Sequence, residues 1–62
     1  MPMKWIIQLE PGVWLAPWDG DPGRTLCREN ADCFTSRVFA GIALVCAREY
    51  RPFTAAKVER EQ

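Results

Sequence analysis

Apolar and polar residues alternate with a period of two at the start of the chain, and the period then changes. In "KWIIQLE" and "VWLAP", on either side of Pro11-Gly12, the residues Trp5, Ile7, Leu9, Trp14 and Ala16 fall on one side of a pleated ribbon. Lys4, Ile6, Gln8, Val13 and Leu15 fall on the other. Proline presets φ at the first central turn position, and glycine accepts the positive φ that a type II turn needs next. Type II geometry matches strand twist poorly in a two-residue loop, so a four-residue loop from Glu10 to Val13 is an equal alternative. Both options set Leu9 opposite Trp14 and Ile7 opposite Ala16. The pattern predicts a hairpin over about residues 3–17, with the Trp5 set as its core face. A one-residue slip would turn Trp14 to the wrong side.

From Thr35 onward the period is helical. Thr35 or Ser36 offers a hydroxyl to a free N–H of the first turn. Pro52 ends the run and pushes Arg51 out of the α region, which predicts a helix over about residues 36–51. At about 100° per residue its polar stripe is narrow: Arg37, Gly41 and Arg48, bordered by Arg51. The remaining apolar arc is much wider than the roughly 100° that covers a small sheet. Alanines 40, 43 and 47 suit close approach to the sheet. Val38, Ile42 and Val45 then form a second stripe, for a partner protein or for a satellite core beneath the loop or last strand. The two readings stand level.

The closing "FTAAKVERE" alternates again and predicts a half-exposed strand over about residues 53–60. Its charged side is typical of an edge kept from pairing with other chains. Between hairpin and helix lies a loop, residues 18–30, containing "DGDPG" with two overlapping turn signals. Asp19 and Asp21 have the first two ligand spacings of a calcium loop. The match then fails, because Gly23 stands at the next ligand, Arg24 at the turn glycine and Asn30 at the twelfth position. Trp18 reads as a lid over the core edge, or as an exposed aromatic anchor of the kind found at binding hot spots. Arg24 to Cys27 is expected to be extended or irregular, with one helical turn at Asn30-Ala31. Asp32 to Phe34 is a candidate short strand at the sheet edge, with Phe34 turned inward.

The order is therefore β-β-(β)-α-β. This is an α+β fold: a small antiparallel or mixed sheet, made of the N-terminal hairpin, the C-terminal strand and a short third strand, packed on one helix. One sheet face is expected to stay open. Ile6 and Leu15, with Val13, would make it a second candidate contact surface.

Composition narrows the classes. Sixty-two residues make one domain, residues 1–62, at a size that buries only about 60% of its unfolded surface. With 48% hydrophobic residues, three Trp and three Phe, a packed globule is expected rather than a disordered tail. A net charge of zero weakens both a general nucleic-acid binder and an acidic DNA mimic. The first residues lack a signal-peptide pattern. The longest apolar run, Val38 to Ala47, spans ten residues where a membrane needs roughly 20. No membrane association and a cytoplasmic location are expected, and an odd count of three cysteines agrees with that compartment.

Candidate chemistry is sparse. The chain has no histidine, which removes Cys–His and Ser–His pairs and His-ligated metals. Cys27, Cys33 and Cys46 lack Cys-x-x-Cys spacing, and three cysteines with Asp32 would be a weak zinc set. Buried free thiols are the better expectation, above all for Cys46. No glycine-rich loop opens a helix before a lysine. Neither catalytic residues nor metal nor cofactor are expected, and the chain does not read as an enzyme. Arg37, Arg48 and Arg51 could grip phosphate or carboxylate. A solvated face paired to Glu29 and Glu49 is the plainer reading and is preferred.

Together "KWIIQLEPGVWLAP", "RTLCRENADCF", "AGIALVCAREY" and the closing "F-x-x-A-x-V" resemble small uncharacterised proteins of phages and prophages. In that group a hairpin precedes a "T-L-x-x-E-N-A-x-x-F" segment, a helix with "A-x-x-A-L" and a last strand. The likeness runs from about Lys4 to Val58, and its motifs are structural. It implies a ββ(β)αβ fold, a mobile-element origin and a bacterial host cell. Anti-CRISPR proteins are similar in size and source and act by binding without catalysis; no anti-CRISPR motif is present. Cys27, Cys33 and Phe39 depart from the group's pattern. The resulting expectation is a non-enzymatic module that binds a host or phage protein, a CRISPR effector being the sharpest case. Its rivals are a nucleic-acid binder using Arg37, Arg48 and Arg51, and a homodimer closed through the Ile42 stripe.

Overall fold

Gly12 takes φ +79°, the left-handed conformation that the Pro11-Gly12 turn requires. The computed structural model describes residues 4–61; the start of the expected hairpin at residue 3 lies outside them. Strands β1 (Lys4–Glu10) and β2 (Val13–Leu15) flank the turn. Their register differs from the expected one. Glu10 pairs with Val13, but the next pair is Gln8 with Trp14, so Leu9 is an extra residue in β1. A bulge of this kind adds local right-handed twist, which a type II turn by itself fails to supply. It also shifts the alternation of β2 by one. Leu15 therefore faces the helix, while Trp14 lies on the side of Gln8 and its indole Nε1 is buried with no hydrogen-bond partner among the described residues.

The sheet has four strands, all antiparallel, in the order β3-β2-β1-β4. β3 is only Arg24–Thr25, paired with Leu15 and Trp14, so the short third strand sits earlier in the chain than Asp32 to Phe34. Phe34 instead makes a single bridge to Trp5, with both backbone bonds at 2.8 Å. It takes the edge of β1 that the short β2 leaves free, and its ring packs against the core. β4 (Lys57–Glu61) lies along the other edge of β1, from Lys4–Glu61 to Gln8–Lys57.

Helix α1 runs Arg37–Ala47 and is capped by Ser36, whose hydroxyl accepts from Val38 N at 3.1 Å. It ends four residues before the expected boundary. Glu49 N and Tyr50 N bond back to Cys46 and Ala47, a tightening that closes the last turn ahead of Pro52. Phe53 then adopts φ +45° with its side chain buried, and Ala56 N closes a turn onto Phe53 O at 2.9 Å. This inward turn delays β4 to Lys57.

One core joins the layers. Ile7, Leu9 and Leu15 of the sheet meet Ala40, Leu44 and Ala47 of α1, and Phe53 closes one end. Each fully buried large side chain stabilises the fold by about 1.5–3 kcal/mol. The opposite sheet face is covered rather than open. The 3₁₀ turn Arg28–Asn30 crosses it, with Arg28 reaching Glu59 of β4 at 3.7 Å and Ala31 buried beside the turn. Ile6 on that face is 0% exposed. Ile6 and Leu15 are thus core residues, not contact surface: the crossing segment removes the first, and the bulge at Leu9 turns the second inward.

Candidate functional site

The inward side of α1 is Ala40, Leu44 and Ala47, all buried. Four large apolar residues project the other way: Val38 at 70% exposure, Phe39 at 61%, Ile42 at 54% and Val45 at 63%. At about 100° per residue they span an outward arc of about 120°. Side chains of this size and exposure make an apolar patch on the order of 500 Å², at the upper end of what monomeric proteins carry. Val38, Ile42 and Val45 were candidates from the helical spacing, and no satellite core covers them. Phe39 belongs with them. The same wheel places it beside Ile42, so the spacing contained the signal.

The patch has two unlike borders. On one side run Arg37, Gly41 and Arg48. Arg37 lies over the Trp5 ring, 5.9 Å from its centroid, while Arg48 is exposed and makes no ion pair among the described residues. Arg51 lies past the helix end, in a separate hollow with Glu10 and Leu26, and does not extend this row. The opposite border is a cleft of about 310 Å³ between the 18–23 loop and the C-terminal half of the helix. Trp18, Tyr50, Asp19, Asp32 and Cys46 line it. Trp18, half exposed, forms a wall of this cleft. The "DGDPG" stretch is the loop that shapes it. The Asp21–Pro22 peptide is cis, and Ala16 N donates to Gly23 O at 2.9 Å where the loop closes.

The cysteines are all free and all exposed, which corrects the expectation of a buried Cys46. Cys46 sits where the helix turns from the cleft toward solvent, not against the sheet. Cys27 Sγ donates to Glu29 Oε2 at 3.0 Å. That hydrogen bond, and then the negative charge of the carboxylate, raise the Cys27 thiol pKa, while the same bond lowers that of Glu29. Among the described residues no group of three Cys, Asp or Glu side chains could hold a metal ion. No helix among them is long and apolar enough to cross a membrane.

No protein-family model matches the chain, and comparison with curated proteins and with solved structures returns no match.

Proposed function

We propose that this chain is a non-enzymatic protein-binding module that meets its partner through the outward face of α1. One observation carries the reading. Val38, Phe39, Ile42 and Val45 stand more than half exposed on one side of a helix whose other side already supplies its core contacts. Most of their apolar surface lies in solvent, outside the core, and patches of this kind mark interaction sites. The resemblance to phage and prophage proteins makes a host or phage protein the partner to test, and a CRISPR effector subunit the most specific case.

The arginines support a nucleic-acid reading less well. All three are exposed, but Arg37 lies over the Trp5 ring and Arg51 is set apart in another hollow, so Arg48 alone of the three borders the patch without a partner among the described residues. The test is capture from nuclease-treated bacterial lysate, with the wild-type chain and Ile42→Glu as parallel baits. A protein retained by the first bait, lost by the second and little affected by salt supports the proposal. Retention that needs nucleic acid and falls steeply with rising salt would transfer the function to the arginines.

A further inference from the structure

We infer that the first occupant of this face is a second copy of the chain, in a parallel two-fold dimer that seats Arg48 of each protomer in the Trp18–Tyr50 cleft of the other. The inference rests on the proposed function, since it takes the outward face of α1 as the binding surface and identifies what covers it.

Symmetry decides the arrangement. When two helices pair about a two-fold axis perpendicular to them, they run antiparallel and like borders meet. The arginine row would then lie against the arginine row, and the acidic cleft against the acidic cleft. When the axis is parallel to the helices, unlike borders meet, twice, at the same height along the pair. The cleft flanks the C-terminal end of α1, at Cys46 and at Tyr50 in the turn that follows, and Arg48, the residue that caps the helix, lies between these two along the chain. A helix pair packs at roughly 8–10 Å between axes, a distance an extended arginine side chain can bridge.

The chemistry of the cleft suits that side chain. Trp18 and Tyr50 offer aromatic faces, and Asp19 and Asp32 offer carboxylates with no ion pair among the described residues. A guanidinium stacks on the first and binds the second bidentately. Both halves of the contact are thus unpaired in one protomer and complementary between two. Two apolar patches on the order of 500 Å² each, together with both charged borders, reach the low end of the 1,200–2,000 Å² found in specific interfaces. A partner protein using the same face would compete with the second copy.

Sedimentation equilibrium tests this on the full chain, with circular dichroism to confirm that each variant is folded. The altered side chains are all exposed, so folding should be retained. Wild type is expected to dimerise with a Kd of roughly micromolar order, and Ile42→Glu to be monomeric. Arg48→Glu and Asp19→Arg should each weaken the dimer about tenfold or more, through like charges at the cleft. An equimolar mixture of these two variants should recover association, because each new charge then faces its opposite. A wild type that stays monomeric at several hundred micromolar overturns the inference. So does a mixture that associates no better than its components. If a monomeric wild type still captures a protein through the Ile42 face, the dimer falls and the proposed function stands. If the dimer forms as described but Ile42→Glu captures partner as well as wild type, the proposed function fails alone.

Discussion

Arg28 in the 3₁₀ turn reaches Glu59 of β4 at 3.7 Å, across the sheet face that carries Ile6. The ion pair marks where the crossing segment is fastened, but both side chains are partly solvated. Exposed pairs contribute about 0–1 kcal/mol. Ile6 beneath is fully buried, and truncating such a residue costs about 2–5 kcal/mol. Urea unfolding should therefore show Arg28→Ala close to wild type and Ile6→Ala strongly destabilised. Equal losses would mean that the ion pair, not the apolar contact, holds the segment down.

Phe53 combines a buried ring with a φ of +45°. Removing the ring costs core packing whatever replaces it. Alanine keeps a Cβ in the left-handed region and glycine does not, a difference of about 1 kcal/mol. The expected order of stability is wild type, then Phe53→Gly, then Phe53→Ala. This reverses the usual ranking of alanine over glycine, and thermal unfolding of the three proteins would decide it.

Two glycines separate in the same way by their surroundings. A Cβ on Gly23 would collide with the Trp18 carbonyl oxygen, so Gly23→Ala must break open the loop. Gly41, inside α1, has nothing within 4 Å of such an atom. There Gly41→Ala should stabilise by about 0.5–1 kcal/mol through helix propensity. Chemical denaturation should move the two midpoints in opposite directions, and loop loosening in the first variant should raise the accessibility of Trp18 to a fluorescence quencher.

The carboxylate of Glu29 disfavours the thiolate of Cys27, and the hydrogen bond at 3.0 Å favours the protonated thiol. The thiolate is the species that alkylates. Glu29→Gln should thus speed alkylation of Cys27 by iodoacetamide at mildly alkaline pH, with the rate profile displaced to lower pH. An unchanged profile would show that the contact does not form in solution. Because the folded-state pKa is raised, any stabilisation from this contact is present at neutral pH and lost as pH rises through that raised value.

Most of the architecture was readable from local signals. Pro11-Gly12 fixed the first turn, Ser36 and Pro52 bracketed the helix, and alternation located β4, because each of these is set by residues a few positions apart. The bulge at Leu9 was not readable. It resolves a conflict between turn handedness and strand twist by moving one residue, and no residue type in "KWIIQLE" marks it. That single shift reverses two placements that simple alternation predicts, taking Trp14 off the helix-side core and putting Leu15 into it. Burial of Ile6 was missed for another reason. It depends on a segment more than twenty residues away crossing the sheet, and "RENA" carries no periodicity that indicates where it will lie. The helix face was legible only in part: spacing gathers Val38, Ile42 and Val45 into one stripe, but whether solvent or a satellite core meets that stripe depends on where the rest of the chain packs.

The pairing of β1 with β4 has a further consequence. These strands flank the whole intervening chain, and five residue pairs from Lys4–Glu61 to Gln8–Lys57 join them. The loop between Trp18 and Gly23 lies outside that ladder. A backbone cut there would give two pieces, one contributing β1 and β2 and the other β3, the helix and β4. The first keeps only the two-stranded hairpin and the second has no paired strands of its own, yet each supplies the neighbouring strands the other lacks. The fold is in this sense divisible: a nick in the loop converts folding into association, and the pieces should reassemble into the same four strands.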